Sequence, residues 1–335
     1  MLFSSTEDGH RGAYLSFVAS VLPSRRASLR EVFLSASPVF FLMIEDSFFI
    51  FVLAAFFRAL LGRRTAGILM RPKPALEGGG LRLRVKRLLL RTMRPIGSIR
   101  VLTILPFSIH PEFGRIADDW IYDFQLWDLT DEERERTLRR GGEGLGKSIR
   151  DAASGRRVIS AVGRQDKRKG FDVLARAAAE LTALAGQLHF VSVGSVHGEV
   201  KLAAAELSSA GGMVVDRYIS DQELCECYGA SDVIWALYAP YDDQASGIAG
   251  RAAQLGIPCI VRTGSLSHRL CLSEGVPHID ATEDTLDRLA RPVPPRDDAA
   301  GRAMAARFRE VSVARLERIF DLKRPEGRSD DPPSP

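Results

Sequence analysis

The chain has no Cys-x-x-Cys pair, and its four cysteines, Cys225, Cys227, Cys259 and Cys271, are too few for a chain of 335 residues to be held by disulfides. Neither a disulfide framework nor a zinc site is indicated, so the thiols read as buried or incidental groups in a reducing compartment. No basic stretch leads into an apolar run with a small-residue cleavage site, so a secretory signal is not expected and a cytoplasmic location is. Long hydrophobic runs are also missing. The most apolar segment, Ser47 to Phe57, ends at Arg58. It falls well short of the roughly 20 residues that span a bilayer, and it reads as a buried helix. No RNA- or DNA-binding motif is present, and no partnership with nucleic acid is expected.

What the chain does have is ordinary globular composition, 45% hydrophobic and 26% charged, in a length suited to two α/β domains. The net charge of +4 conceals an asymmetry, because Met1 to Leu105 carries sixteen Lys and Arg against six Asp and Glu. Much of this charge lies in RRTAGILMRPKP (63–74) and LRLRVKRLLLRTMR (81–94). In the second stretch a helix would sort arginines and leucines onto two faces. Such a helix suits an anionic membrane surface. It equally suits a solvated face backed by a core-packing stripe.

Apolar periodicity and turn residues divide the first third into alternating elements. MLFSS reads as a short strand, TEDGHRG as a loop and AYLSFVASVL as a helix. REVFLSA (30–36) and VFFLMI (39–44) read as the second and third strands, FIFVLAAFFRALLG (49–62) as a helix, and TAGILM (65–70) as a strand. Pro72, Pro74 and Gly78 to Gly80 predict a mobile loop. RVLTILPF (100–107) predicts the last strand of a first domain. In TDEERERTLRR (130–140), Thr130 with Glu133 three residues later predicts a capped helix. From Arg156 strands and helices alternate through PCIV, which implies a parallel sheet wound on both faces, with ligands beyond the carboxyl ends of its strands. A last helix is expected over 299–322, followed by a disordered tail, 323–335.

Two loops of this second series carry chemistry. In VGRQDKRKGFDVLARA (162–177) a strand runs through Gly163 and Arg164 to Lys169 and then a helix. Two cations beside a helix N-terminus can hold a diphosphate and stabilise it as a leaving group. A polar loop with solvated cations would have the same composition. In YAPYDDQASGIAGRAAQLGIPCIV (238–261), Ser246 and Gly247 open a helix whose free N–H groups form a second phosphate seat, and a glycine there lets a ligand approach the backbone. Asp242 and Asp243 admit a metal-binding reading, but adjacent loop carboxylates are more often solvated.

These segments resemble glycosyltransferase family 4. GRQDKRKGFDVL resembles the family's arginine-to-lysine phosphate loop, VVDRYISDQELCECYGASDVIWALY its nucleobase-side segment, and DDQASGIAGRAAQLGIPCIV its diphosphate and ribose loop. LPFSIHPEF (105–113) resembles the stretch leading into the second domain. The resemblance covers about 130 residues in order and spacing; the first domain resembles the family only in layout. It implies an α/β GT-B fold of two facing Rossmann-like domains with parallel sheets. Residues 1–107 would form the acceptor-side domain, 108–155 a connection, 156–298 the nucleotide-sugar domain, and 299–322 a helix crossing back to the first domain.

The resemblance further implies transfer of a hexose-like sugar from a nucleoside-diphosphate donor to an acceptor hydroxyl, with retention of configuration. The acceptor would be a glycan or lipid-linked intermediate, as in polysaccharide synthesis, met at the inner face of a membrane. Arg164 and Lys169 would neutralise the departing diphosphate. No metal and no cofactor is implied, because those cations supply the charge. Gly163, Tyr218, Ile219, Asp243, Ser246 and Gly247 would complete the donor site.

The chain departs from the family at two places. Asp243 fits the acidic position of the last loop, but Arg251 stands where a ribose-binding glutamate is usual, and a guanidinium cannot accept hydrogen bonds from hydroxyls. Arg251 reads equally as a phosphate contact, a contact to a carboxylate on donor or acceptor, or a structural ion pair. In the first domain the family's histidine is replaced by Arg71 in GILMRPKP, or else represented by His10, next to Gly9 in the first loop; a lone loop histidine is also commonly just solvated. Glu45 and Asp46 would orient an acceptor hydroxyl or serve as its base, or would cap the following helix. These departures leave two other functions open: a non-catalytic sugar-nucleotide-binding or scaffolding subunit, and a sugar-nucleotide epimerase.

Overall fold

The computed structural model describes residues 1–4, 10–181 and 187–320. The chain forms two compact units. The first takes Met1–Thr103, Phe113–Ile121 and the chain from Glu310 onward; the second takes Ile104–Glu112 and Tyr122–Arg309. Residues 108–155 therefore divide between the units, most of them joining the second.

The first unit holds β1 (Leu2–Phe3), α1 (His10–Val21), α2 (Leu29–Leu34), β2 (Val39–Phe41), α3 (Phe48–Leu60), β3 (Thr65–Leu69), α4 (Pro72–Glu77), α5 (Leu81–Met93), β4 (Ile99–Thr103) and β5 (Asp119–Trp120). All strand pairings are parallel and the order is β1-β2-β3-β4-β5. Because the order advances in one direction, right-handed crossovers put the connecting helices on one face of this sheet. Side chains alternate accordingly. Phe41 meets Phe51 of α3 at 5.1 Å between ring centroids, whereas its neighbour Phe40 meets Phe320 at 5.4 Å from the other face.

Three expectations are corrected here. REVFLSA is not a strand but most of α2, because Ser28 and Glu31 form a reciprocal capping box that outweighs the β-propensity of Val32 and Phe33. The expected loop at 72–80 contains α4, which Pro72 can open because the first turn needs no donor from it. The strand in RVLTILPF is not the last of its sheet, since Asp119–Trp120 adds an edge strand too short to leave an apolar run.

Arg58, which ends the apolar run, is fully buried. Its guanidinium donates to Thr65 Oγ1 (2.9 Å) and to the carbonyls of Val32 (3.2 Å), Ser35 (2.7 Å), Ser37 (2.7 Å) and Arg64 (2.9 Å). Fixed carbonyl dipoles thus replace the water that the cation loses, and they tie α2 and α3 to β3.

The second unit begins with α6 (Asp131–Arg140), capped by Thr130 and Glu133 as expected, and α7 (Gly144–Ala153). Strands and helices then alternate: β6 (Arg157–Val162), α8 (Phe171–Glu180), β7 (Leu188–Val193), α9 (Lys201–Ser209), β8 (Met213–Val215), α10 (Asp221–Ala230), β9 (Val233–Ala236), α11 (Gly247–Gln254), β10 (Cys259–Arg262), α12 (Leu266–Glu274) and β11 (His278–Ala281). The last helix is α13 (Asp298–Phe320). Its residues up to Arg309 belong to the second unit and those from Glu310 to the first. The α12–β11 pair was not anticipated, its four-residue strand being only partly buried. The expected tail, 323–335, lies outside the described residues.

The sheet is parallel throughout, in the order β11-β10-β9-β6-β7-β8. From β6 the chain winds one way to β7 and β8, and from β9 it winds the other way to β10 and β11. The reversal lies between β6 and β9. Beside it, Ile159, Phe171, Leu174, Trp235 and Ile260 form the centre of a buried apolar core.

Candidate functional site at the switch point of the second sheet

In parallel sheets a ligand crevice opens beyond the carboxyl ends of the strands where the winding direction reverses. The loops after β6 and β9 meet there: Ala239 donates its N–H to the Arg168 carbonyl at 2.8 Å. Both are the loops singled out in the sequence.

The β6 loop is organised by Asp166, a buried carboxylate that caps the short 3-10 turn Lys167–Lys169. It accepts from the Lys169 N–H (3.1 Å) and from Arg168 Nη2 (2.9 Å) and Nε (3.2 Å), and Arg164 Nε stands 4.0 Å away. Burial pushes its pKa up, but the Arg168 hydrogen bond and the Lys169 N–H outweigh that and hold it below the usual value. Asp166 is therefore anionic and positions the cations around it. Its place three residues before Lys169 was a legible capping signal that the charge pattern obscured.

Lys169 is the most perturbed cation of this loop. Its ammonium lies 5.8 Å from the centre of the Tyr238 ring, and its side chain is partly buried. Burial, only partly offset by Asp166 and Asp242, lowers its pKa to about 8. Gly163 adopts the left-handed conformation (φ 85°), and a Cβ there would sit 3.8 Å from Lys169 Nζ and 3.9 Å from Ile248 Cδ1. The glycine thus leaves room beside the ammonium while turning the chain. Arg164, in contrast, is largely exposed.

The second loop is arranged differently from expectation. Ser246 accepts from the Ala249 N–H (3.2 Å) as the N-cap of α11, and its hydroxyl donates to Tyr238 Oη (2.9 Å). Burial raises the Tyr238 phenol, which stays neutral. Gly247 does not face open space, because a Cβ there would overlap the side-chain amide of Gln125. Asp243 accepts from the Leu266 N–H at 2.8 Å and lies 3.4 Å from Arg262 Nη2, so it caps α12. Asp242 accepts instead from Gln244 Nε2 at 3.0 Å. The two carboxylates thus have different partners, and among the described residues no group of three or more His, Cys, Asp or Glu is placed to hold a metal.

Arg251 pairs with Asp128 at 2.7 Å. Gln254 Nε2 extends this web to Asp128 Oδ1 and the Gln125 carbonyl, both at 2.7 Å. Of the readings open for Arg251, the structural ion pair is realised. Gln125 and Asp128 were missed because only folding brings hydrogen-bonding residues 123 to 129 positions apart in sequence together beside α11. Tyr218 stands exposed after β8, with Ile219 partly buried beside it.

The acceptor-side candidates belong to the first unit. Glu45 accepts from the Arg71 N–H at 2.6 Å, capping α4 rather than the helix that follows it in sequence. Its other oxygen is buried without a hydrogen-bond partner among the described residues. Asp46 is exposed. Lys86, unanticipated, lies 5.2 Å from the centre of the Phe48 ring; burial lowers its pKa while Glu45 acts to raise it. Gly9 lies outside the described residues, as does the side chain of His10, the first residue of α1.

A cavity of about 510 Å³, lined by Arg150, Arg156, Arg157, Asp232 and Arg296, opens at the amino ends of the strands, away from these loops.

Solved structures share this architecture. An α,α-trehalose-phosphate synthase (UDP-forming) from Burkholderia xenovorans, solved with glucose-6-phosphate, superposes with a TM-score of 0.59 at 13% identity over 93% of this chain and 78% of its own. The corresponding synthase from Burkholderia vietnamiensis gives 0.56 at 14% identity over 93% and 80%. Anabaena Alr3699/HepE, in complex with UDP and glucose, gives 0.53 at 13% identity over 88% and 81%. The fold is GT-B. Each unit of this GT-B chain is a Rossmann-like α/β domain with a parallel sheet. No protein-family model matches the chain, and no curated protein matches it in sequence.

Proposed function

We propose that the chain is a glycosyltransferase whose second unit binds the diphosphate of a nucleotide-sugar donor at the β6 and β9 loops. The observation that carries this reading is the enclosed ammonium of Lys169 beside Gly163 at the switch point, with Arg164 on the same loop. With a pKa of about 8 the ammonium is mostly charged at neutral pH. Partly stripped of water, it interacts more strongly with a diphosphate than a solvated lysine would. As the bond from the anomeric carbon to the phosphate oxygen breaks, negative charge grows on the diphosphate. Lys169 and Arg164 then stabilise it without a metal ion.

The acceptor is a hydroxyl of a glycan or lipid-linked intermediate, and configuration at the anomeric carbon is retained. Glu45, Asp46, Arg71 and the Gly9–His10 segment are the candidates for orienting it. The fold shared with UDP-forming and UDP-binding enzymes supports donor chemistry of this class.

A second reading, a sugar-nucleotide-binding subunit without turnover, draws on Arg251 being tied to Asp128 where the family resemblance implies a ribose-binding glutamate. A thermal-shift screen against UDP, GDP, ADP, dTDP and their sugar conjugates tests donor binding. A selective shift abolished by Arg164→Ala or Lys169→Ala is expected; no shift with any nucleotide overturns both readings. Release of nucleoside diphosphate from the bound conjugate separates transferase from silent binder, and proton NMR of the product's anomeric signal reads its configuration.

A further inference from the structure

Of the α5 leucines only Leu90 is buried in the core. At 100° per residue Leu81, Val85 and Leu88 share one ridge of the helix, and all three are exposed, Leu81 by 78%. On α3 the residues Phe49, Leu53, Phe57 and Leu60 recur at the same helical spacing, opposite the buried Phe51, Ala54, Ala55 and Arg58, and are exposed as well, Leu60 by 87%. The two helices adjoin, as the Lys86 ammonium lies over the Phe48 ring. On its other side α3 meets α2 through Phe33 and Phe57, whose centroids are 6.1 Å apart. Ten of the fourteen large apolar side chains exposed among the described residues lie on these helices or directly after α3. A water-facing helix normally shows its polar side outward, so an apolar ridge on two adjoining helices marks a surface that something covers.

Charge identifies the occupant. On α5 the apolar ridge is flanked by Arg84 and Arg91 on one side and Arg82 on the other. None of the three has a hydrogen bond or ion pair among the described residues, whereas Arg87 donates to the Ala75 and Gly78 carbonyls. A two-fold contact with a second copy would press like charges together. A bilayer bearing anionic headgroups satisfies both features, since apolar ridges enter the acyl boundary while long arginine stems reach the phosphates. Among the described residues no helix is long and apolar enough to cross a membrane.

We propose that the α3–α5 face of the first unit docks on the surface of an anionic lipid bilayer. This attachment is independent of what the second unit binds, and its test does not involve nucleotides. The full chain is floated with vesicles of phosphatidylcholine alone and of an equal mixture of phosphatidylcholine and phosphatidylglycerol. Flotation with the mixed vesicles only is expected. Arg84→Ser with Arg91→Ser should weaken partitioning about 30-fold, since each cation near such a surface contributes about 1 kcal/mol. Leu53→Ser with Leu88→Ser should abolish flotation while the melting temperature is kept, because neither side chain is buried. Absence of wild-type flotation overturns the proposal, as does equal flotation with neutral vesicles. A wild-type dimer in sedimentation equilibrium that Leu53→Ser dissociates, without vesicle binding, assigns the face to a second copy instead.

Discussion

Arg251 donates through Nη2 to the Asp128 carboxylate at 2.7 Å, and Gln254 holds the other oxygen of that carboxylate at the same distance. The guanidinium thus fastens α11 to the segment before α6. Both partners are mostly buried, so reversing one charge leaves two carboxylates face to face. Arg251→Glu is expected to lower unfolding free energy by about 3 kcal/mol. Adding Asp128→Arg should recover more than half of the loss in urea titrations. Arg251→Ala should keep a nucleotide-induced thermal shift; its disappearance in a folded variant would make Arg251 a donor contact after all.

The lowered pKa of Lys169 predicts two pH effects of opposite sense. The folded protein binds fewer protons than the unfolded chain between about 8 and the ordinary 10.5, so this group's contribution to stability rises with pH across that window. Diphosphate binding requires the ammonium, so the thermal shift given by a nucleoside diphosphate should shrink as pH rises past about 8. Lys169→Met should remove both trends. An unchanged nucleotide response above pH 8 in the wild type would dissociate Lys169 from the phosphate seat.

Gln125 fills the space that a side chain at position 247 would need. Gly247→Ala is therefore expected to cost about 2 kcal/mol of stability through overpacking. Gln125→Ala in the same molecule should restore most of it. Additive losses in the double variant, read from denaturant midpoints, would mean that the two residues do not compete for this space.

Asp123 accepts the Gln125 N–H at 3.1 Å from a buried position. Burial, with a smaller effect of Asp128, raises its pKa from 3.8 to about 6, against the opposing pull of that N–H and of Arg251. Here the folded state binds more protons than the unfolded chain between those values, so stability should fall as pH rises through that window. Asp123→Asn keeps the acceptor oxygen and removes the buried charge. It should flatten the decline and raise stability near neutral pH by about 2 kcal/mol.

Arg58→Leu would strand the Ser35, Ser37 and Arg64 carbonyls in the interior of the first unit. A loss of about 4 kcal/mol is expected from the unpaired acceptors. A calorimetric melting temperature within a few degrees of wild type would contradict the role given to this buried cation.

Residues close in sequence determined what could be read without the fold. The strand–loop–helix from β6 through Lys169 to α8 is one continuous segment, so its glycines, cations and apolar period were legible. The Thr130–Glu133 cap was equally local, and so were the alternation that made each sheet parallel and the leucine–arginine periodicity of α5. Local signals also misled: the β-branched and aromatic residues of REVFLSA masked a capping box, and the proline-glycine stretch masked α4.

Only the tertiary structure decided which surfaces those elements meet. It set Asp128 against Arg251, gave the space over Gly247 to Gln125, turned Glu45 toward Arg71, and faced Leu81 and Leu88 of α5 outward while burying Leu90. A helical period specifies that two faces differ, but it does not specify which one is covered. Hydrogen bonds between residues more than a hundred positions apart leave no pattern in a single sequence, because each partner alone is an ordinary polar residue until folding removes the water around it.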